Sequence, residues 1–305
     1  MSLALIFPGQ GAQEPGMGRG LFDKRSSAHA LALEASEITG LDVVGLSCDG
    51  SADEVRATEV AQSLLLLHSI AFLQGLPQDV LDGAIGFAGH SLGEYSALVG
   101  AGSVDWREAL VLVRERGLAM AAASSPTQGM SAVLALSEEQ VRDVLAANPG
   151  GGVAVVANLN APGQVVLSGD RSRLDALAAP LKEVGARRVM PLSVGGAFHS
   201  PLMASAAERL DAAINRAPLR PGRPQAFNVD GAVRTTPDEI AAALRGQLTG
   251  AVRWIDCVNS LLGLGATRFL ELGPGGTLCA LGRRIAPSAA WETASGTAGA
   301  VAVTG

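Results

Sequence analysis

The sequence predicts an α/β protein built on a parallel sheet, because short apolar runs alternate with helical patterns along much of its 305 residues. Run 84–88 is short, apolar and bounded by glycine, as a strand buried on both faces should be, and run 3–7 has the same character. Hydrophobic residues make up 48% of the chain and charged residues 17%, which fits a sizeable core. The length allows one large domain, or a main domain with a smaller one.

The elements follow each other in an order that implies helices on both faces of this sheet. Strand 3–7 leads into a glycine-rich loop at 8–16, and the second strand opens a helix at 92–99. Further helices are predicted over 21–38, 53–58, 62–76, 105–123, 201–216, 237–248 and 253–264, and further strands over 225–229 and 267–272.

A middle segment has a different order of predicted elements, βαββαβ, which is the ferredoxin-like pattern. Its strands are predicted at 130–136, 153–159, 164–168 and 187–194, and its helices at 137–148 and 170–184. We therefore expect a small ferredoxin-like domain over 129–194, inserted into a large catalytic domain formed by 1–128 and 195–290. Residues 291–305 are predicted to be a tail that is partly disordered.

Composition excludes several classes of protein. The net charge of −6 argues against a nucleic-acid binder, which would carry a basic stripe. The three cysteines are far apart and form no C-x-x-C pattern, so we expect reduced thiols, no metal site and a cytoplasmic location. The N-terminus lacks a leader pattern, and the longest apolar run, 64–76, is too short to span a bilayer.

The most informative motif is Gly89-His90-Ser91-Leu92-Gly93, a G-x-S-x-G sequence between the second strand and a helix. This context predicts a nucleophile elbow and hence an α/β-hydrolase-like large domain. The elbow exposes the Ser91 hydroxyl and places its neighbours' N–H groups at a helix N-terminus, where negative charge is stabilised. The chemistry that this arrangement suits is acyl transfer through a serine ester.

Such a serine needs a base, and His199 is the best of the four histidines because it lies in a loop just after a predicted strand. His29 and His68 fall inside helical patterns, where surface or core roles are expected. His90 follows the strand directly, so the elbow should point its side chain away from that of Ser91.

Five motifs in order carry a family resemblance over nearly the whole chain, about residues 3–286. They are Phe7-Pro8-Gly9-Gln10-Gly11-Ala12-Gln13, Gly89-His90-Ser91-Leu92-Gly93-Glu94, Arg116-Gly117, Ala197-Phe198-His199-Ser200, and Gln247-Leu248 through Val252-Arg253-Trp254. Together they resemble the malonyl-CoA:acyl carrier protein transacylase family, which includes fatty-acid-synthesis enzymes and polyketide synthase acyltransferase domains.

The resemblance implies roles in a ping-pong malonyl transfer. Ser91 would carry the malonyl ester, His199 would be the base, and the carbonyl of Gln247 would orient the imidazole. The N–H groups of Gln10 and Leu92 would form the oxyanion hole.

The resemblance also implies a substrate pocket. Arg116 would hold the malonyl carboxylate, since a guanidinium binds a carboxylate bidentately. Phe198 would disfavour a branched acyl group. Arg114 is expected on a solvated helix face. The other implied substrate-binding residues are Gln62, His90, Asn158, Asn160 and Asn228. The chain departs from the family at Ser63, where proline is usual and a looser turn is expected, and at Gly275, where lysine is common.

The implied partners are malonyl-CoA and an acyl carrier protein with its phosphopantetheine thiol, with no other cofactor and no metal. Because carrier proteins are acidic, the docking patch should be basic. Lys182 with Arg187 and Arg188, or Arg283 with Arg284, could form it, although ordinary surface arginines are an equal alternative. We expect a monomer.

Four alternatives stay open. A trans-acting polyketide acyltransferase and a malonate decarboxylase subunit share the chemistry and differ in pathway. A serine thioesterase or hydrolase would use the same elbow, but no acid follows Ser91 in the position that a Ser-Asp-His order requires. A silent docking module is disfavoured by the presence of Ser91, Arg116 and His199 together.

Overall fold

The computed structural model describes residues 2–295 and 302–304 and confirms a mixed α/β fold with a parallel sheet. The strands are β1 (Leu3–Phe7), β2 (Ala84–Gly89), β3 (Gln128–Leu134), β4 (Ala154–Ala161), β5 (Gln164–Asp170), β6 (Arg188–Pro191), β7 (Gln225–Ala226), β8 (Val233–Arg234), β9 (Arg268–Glu271), β10 (Ala290–Ser295) and β11 (Ala302–Thr304). The helices are α1 (Ser27–Thr39), α2 (Val43–Asp49), α3 (Ala52–Arg56), α4 (Thr58–Gly75), α5 (Gln78–Asp82), α6 (Gly93–Ala101), α7 (Trp106–Ala123), α8 (Glu138–Ala147), α9 (Arg171–Glu183), α10 (Ala204–Arg216), α11 (Pro237–Gln247), α12 (Trp254–Gly263) and α13 (Thr277–Ile285).

The larger sheet has the strand order β11-β10-β9-β1-β2-β7-β8. The strands from β10 to β7 are parallel, and β11 and β8 pair antiparallel at the two edges. Alternate residues of β1 enter two different cores: Leu5 packs with α4 and α6, whereas Ile6 packs with α12 and α13. The sheet is therefore covered on both faces, which explains why its strands are continuously apolar.

The smaller sheet is antiparallel, with the order β4-β5-β3-β6. One face packs against α8 and α9 in a separate core. Residues of the opposite face, including Met130 and Val166, join the main core. Strand β4 is also tied by backbone hydrogen bonds to the segment between α11 and α12, because Leu159 N donates to Val252 O (2.9 Å) and Val252 N donates to Ala157 O (2.8 Å).

Helix α4 runs through the centre of the molecule and is buried on nearly every side. It contains His68, whose Nδ1 donates to Leu64 O (2.8 Å) and whose ring meets Phe22 edge to face. Burial lowers the pKa of His68 to about 4, so this histidine is a neutral core residue, one of the two roles expected for it. Ser63 also lies within this helix, so the expected looser turn is not found there.

Several predicted boundaries differ from the structure. The first helix begins at Ser27 and not at residue 21, because Leu21 and Phe22 are buried in a turn in which Phe22 N donates to Gly18 O (2.8 Å). Sequence patterns do not indicate α2, α5, α13, β8, β10 and β11, which are short or depend on tertiary partners. Of the predicted tail, 291–295 continue β10, and residues 296–301 and 305 lie outside the described residues.

No helix in the described part of the chain is long and apolar enough to cross a membrane. The three cysteines are free, with Cys257 and Cys279 buried and Cys48 partly buried.

Candidate active site

Strand β2 ends at a sharp turn that carries Ser91 into helix α6. Ser91 adopts the left-handed region with φ of 52°, which non-glycine residues rarely do. A Cβ on Gly89 would collide with the backbone of Gly93, and a Cβ on Gly93 would collide with the carbonyl of Phe7. The spacing of the two glycines is therefore a packing requirement of this elbow.

Ser91 and His199 are in direct contact. Ser91 Oγ lies 2.7 Å from His199 Nε2, and His199 Nδ1 lies 2.9 Å from the backbone oxygen of Gln247. Because a carbonyl oxygen only accepts, Nδ1 carries the proton and Nε2 is left with its lone pair facing the serine. A backbone carbonyl thus occupies the position that a carboxylate holds in a Ser-His-Asp triad.

The backbone is strained at both members of this pair. Among the described non-glycine residues, only Ser91, His199 and Ala135 have positive φ, and His199 has φ of 58°. Such conformations cost about 1–3 kcal/mol each and persist only where surrounding contacts enforce them. Two of these three strained residues, Ser91 and His199, therefore form the reactive pair.

The base is neutral in the folded protein. Burial, and after it the positive charge of Arg116, lowers the pKa of His199 to about 3. At neutral pH the imidazole can therefore accept a proton from Ser91.

Arg116 is a buried cation beside the serine, with 1% of its surface exposed. Its Nη1 donates to Gln62 Oε1 (2.7 Å), and its Nη2 donates to Gln247 Oε1 (3.0 Å) and to Ser91 Oγ (3.0 Å). Within the described part of the chain, no carboxylate comes within 4.0 Å of this guanidinium. Since none of the described carboxylates is in direct contact with this buried charge, the arrangement is suited to an anionic ligand.

A cavity of about 140 Å³ opens above the pair. The predicted residues that line it are Gln10, His90, Ser91, Asn158, Asn160, Phe198 and His199. Its apolar wall comes from residues that the sequence analysis did not single out: Met120, Met130, Val166, Leu192 and Val194. These residues come from four segments that are distant in sequence, so no local signal could have grouped them.

A second hollow of about 160 Å³ adjoins the first. Gln10, His90 and Asn160 line both hollows, and His90 Nε2 donates to Asn160 Oδ1 (2.8 Å). As expected, the side chain of His90 points away from that of Ser91 and joins the two sheets through Asn160. The glycine-rich loop at 8–12 and the start of α13 form the rest of the second hollow.

Five residues predicted at the site do not line this cavity: Arg116, Leu92, Gln62, Asn228 and Gln247. Gln62 and Asn228 are fully buried, and they contact Arg116 and the Ser91 backbone respectively. The Gln247 side chain is also buried there, where it donates to Ser91 O (2.9 Å). Polar residues beside a site can support it from behind, and sequence order does not reveal which side they occupy.

Leu92 and Gln10 present backbone N–H groups near the serine. Leu92 starts the elbow helix as its N-cap, and Gln10 lies in the loop after β1. Neither N–H donates a backbone hydrogen bond within the described residues.

Arg114 was expected on a solvated helix face, but it is half-buried, because its Nη1 donates to Glu59 O (2.7 Å).

Glu94 is the main functional candidate that sequence reasoning left without a role. It is fully buried, accepts a hydrogen bond from Gln247 Nε2 (2.9 Å) and accepts another from the backbone N–H of Asn228 (2.6 Å). Its place directly after the elbow, inside a helix with little polar character, was the available signal.

An elbow serine held by a histidine, with a buried arginine beside it, defines the site of a serine acyltransferase. The chain belongs to the acyltransferase family, since the family model described as "Acyl transferase domain" matches residues 4–290. It is 37% identical over 286 residues to the malonyl CoA-acyl carrier protein transacylase of Bacillus subtilis, covering 93% of this chain and 90% of that one.

Solved structures agree with this assignment. An acyl carrier protein S-malonyltransferase from Vibrio cholerae superposes with a TM-score of 0.91 at 35% identity, covering 97% of each chain. A malonyl-transacylase in complex with a type II PKS acyl-carrier protein superposes with a TM-score of 0.90 at 32% identity, covering 98% of this chain and 96% of that one.

Proposed function

We propose that this protein transfers a malonyl group from malonyl-CoA to the phosphopantetheine thiol of an acyl carrier protein, through an ester on Ser91. The observation that carries the proposal is Arg116, a buried guanidinium that touches Ser91 Oγ at 3.0 Å and has no carboxylate of the described chain within contact. A malonyl thioester brings the missing carboxylate to that position. The names of the relatives and structural neighbours support the same substrate and acceptor.

In the first half-reaction, Ser91 Oγ attacks the thioester carbonyl while its proton passes to His199 Nε2. Since Arg116 Nη2 donates to the same oxygen, the hydroxyl hydrogen is directed to the imidazole. The carbon–sulfur bond then breaks, His199 gives its proton to the coenzyme A thiolate, and malonyl-Ser91 remains. The N–H groups of Gln10 and Leu92 bind the oxyanion, an effect worth about 2.7–4 kcal/mol for one donor.

The second half-reaction reverses these steps with a different thiol. His199 Nε2 takes the S–H proton of phosphopantetheine, the sulfur attacks the malonyl-Ser91 carbonyl, and the ester bond to Oγ breaks. The proton then returns to Ser91. The Gln247 carbonyl keeps the imidazole in the tautomer that both halves require. The reaction uses no cofactor beyond the two thiols and no metal.

The cavity wall determines which acyl group is accepted. Arg116 binds the terminal carboxylate, and Phe198 restricts room at the α-carbon of the acyl chain. His90 and Asn160 contact the substrate where the two hollows meet, and Asn158 contacts it in the first hollow. One methyl group in such a pocket changes selectivity by about 10- to 200-fold, so methylmalonyl is disfavoured and not excluded.

The carrier protein docks on a basic surface made of Lys182, Arg187 and Arg188, which are exposed. The alternative pair, Arg283 and Arg284, donates to backbone carbonyls of neighbouring segments, so these arginines serve the fold first. Changing Arg187 and Arg188 to glutamate should raise the KM for the carrier and leave the KM for malonyl-CoA unchanged. An unchanged carrier KM would remove this surface from the proposal.

The proposed architecture has two parts. The large part, 1–128 with 195–290, is α/β-hydrolase-like in its elbow and parallel sheet, and 129–194 form an inserted ferredoxin-like domain. The strand order β4-β5-β3-β6 with two helices on one face supports the latter description. A monomer and a cytoplasmic location stay predictions, as does the choice between fatty-acid, polyketide and malonate decarboxylase pathways.

The test is transfer of labelled malonyl from malonyl-CoA to a holo acyl carrier protein. We expect label on the carrier, and none with the apo carrier or with Ser91→Ala. Release of free malonate at the same rate with and without carrier would instead make the protein a hydrolase.

A further inference from the structure

Two side-chain amides hold the strained backbone of Ser91. The Ser91 N–H donates to Asn228 Oδ1 (2.6 Å), and the Ser91 carbonyl accepts from Gln247 Nε2 (2.9 Å). Asn228 Nδ2 also donates to Gly89 O (2.8 Å), two residues before the serine. The left-handed conformation at Ser91 thus depends on how these two amides are oriented.

Both supports converge on one carboxylate. Glu94 Oε1 accepts from Gln247 Nε2 (2.9 Å), and Glu94 Oε2 accepts from the backbone N–H of Asn228 (2.6 Å). Glu94 is completely buried, and its two oxygens therefore face one donor each. An ionised carboxylate satisfies both donors because it accepts only, whereas a protonated carboxyl or an amide offers one donor in return.

The same contacts determine the direction of the Gln247 amide. Its NH₂ group faces two acceptors, Ser91 O and Glu94 Oε1, so its oxygen must face Arg116 Nη2, which lies 3.0 Å away. If the amide flipped, its oxygen would meet two acceptors and its NH₂ group would meet the guanidinium. The orientation of Arg116 is therefore coupled to Glu94 through one amide.

We propose that Glu94 is the positioning residue of this site: it orients the Gln247 and Asn228 amides, and through them it fixes the Ser91 elbow and the Arg116 guanidinium. The role in acyl selectivity rests on the proposed malonyl transfer, whereas the role at the elbow does not. Glu94 acts through its neighbours and makes no contact with the acyl group.

The decisive variant is Glu94→Gln, which preserves shape and removes the second acceptor. The new amide can accept from Asn228 N, but its NH₂ group then faces the NH₂ group of Gln247 and drives that amide to flip. A displacement of about 1 Å at a reacting group can cost about 10²-fold in rate. We expect a loss of this order in kcat/KM for malonyl-CoA and a fall of about 10-fold or more in the malonyl-to-acetyl ratio.

Two further variants distinguish positioning from a general loss of stability. Glu271→Gln is the matched control, because Glu271 is also a fully buried carboxylate and accepts from the N–H groups of Leu278 and Cys279. It should lower the melting temperature and leave the malonyl-to-acetyl ratio unchanged. In a Gln247→Leu background, which keeps the backbone carbonyl, Glu94→Gln should add no further loss in that ratio.

The charged and titratable groups that face Glu94 determine how the pKa of its carboxyl is shifted. Arg116 on α7 and Arg234 on β8 act on it as positive charges, and Tyr95 and Cys257 are its neutral titratable neighbours. Burial is the largest influence and raises the pKa of Glu94 to about 7, against the lowering effect of its hydrogen bonds and of Arg116. Wild-type kcat/KM should fall as pH drops below about 7, and the Glu94→Gln profile should be low and flat there.

A fluorophosphonate probe that labels Ser91 gives a readout that needs no malonyl group. If the wild type labels normally and does not prefer malonyl, the proposed function fails, and slower labelling of Glu94→Gln still supports the elbow role. An unchanged labelling rate together with an unchanged acyl ratio in Glu94→Gln overturns the positioning role. An equal loss of ratio in Glu271→Gln, or an acid limb that persists in Glu94→Gln, overturns it as well.

Discussion

Replacing Arg116 with methionine tests whether this buried guanidinium selects the acyl group. Methionine has a similar length and no charge, so it fills much of the volume while it removes every donor. The variant leaves the oxygens of Gln62 and Gln247 without the donor that each now has at 2.7 Å and 3.0 Å respectively. Removing a buried charge offsets part of that cost, so the protein should stay folded.

The magnitude follows from the burial of the site. Arg116 is 1% exposed, so its bond to a carboxylate is shielded from water. Removing one partner of a buried charge pair costs about 2–5 kcal/mol. At about 1.4 kcal/mol per tenfold change, kcat/KM for malonyl-CoA should fall by about 30-fold to 4000-fold. Acetyl-CoA has no carboxylate, so its reaction should slow far less.

The assay measures both acyl-CoA substrates in parallel, with Arg114→Met as the matched control. Arg114 lies on the same helix and, among the residues that the structure describes, donates to the carbonyl of Glu59. The control should retain the malonyl-to-acetyl ratio of the wild type. Equal losses for both acyl groups in Arg116→Met would refute the assignment of Arg116 to the carboxylate.

Other predictions address the base, the cavity wall and the elbow. His199→Ala should lower kcat by about 10²- to 10⁴-fold, measured as the rate of malonyl transfer; a smaller loss would mean another base. The pKa of His199 is about 3 in the folded protein, against an ordinary value of 6.5. Because the unfolded chain therefore binds a proton at His199 that the folded protein does not, the free energy of unfolding should fall as the pH drops from 6.5 toward 3. His199→Gln should weaken this pH dependence in urea titrations. Phe198→Ala should reduce discrimination against methylmalonyl-CoA within the range of about 10- to 200-fold, and unchanged discrimination would exclude Phe198 from the acyl wall. Gly89→Ala should destabilise the fold by about 1–3 kcal/mol because its Cβ meets Gly93; a wild-type urea midpoint would contradict the packing argument.

Sequence patterns predicted the elements whose signals are local. The elbow was predictable because Gly89 and Gly93 must lack a Cβ where the turn packs against itself. The helix at 277–285 was not, because its start is held by Glu271, a residue from another strand whose carboxylate accepts from Leu278 N and Cys279 N. Strand β10 was missed for a similar reason, since it forms by pairing with β9 on one side and β11 on the other.

The same distinction between local and tertiary signals applies to the residues of the active site. Ser91 is marked by its motif and His199 by its loop after a predicted strand, and the family resemblance pointed to Arg116. The residues of the apolar wall have no such mark, and Glu94 belongs to the quoted motif without a role that the motif could assign to it. Met120 of α7, for example, lines the cavity together with Met130 of β3 and Val166 of β5, which are distant from each other in sequence or belong to different elements. Glu94 has a role only through tertiary hydrogen bonds, which the order of residues does not reveal.

The central claim is that Ser91 carries a malonyl ester, and intact-mass spectrometry tests it directly. The protein is mixed briefly with equal amounts of malonyl-CoA, methylmalonyl-CoA and acetyl-CoA, with Ser91→Ala as the control. The account predicts one malonyl adduct on the wild type, none on the variant, and loss of the adduct when a holo carrier protein is added. A predominant acetyl adduct, or a malonyl adduct that persists in Ser91→Ala, would contradict it.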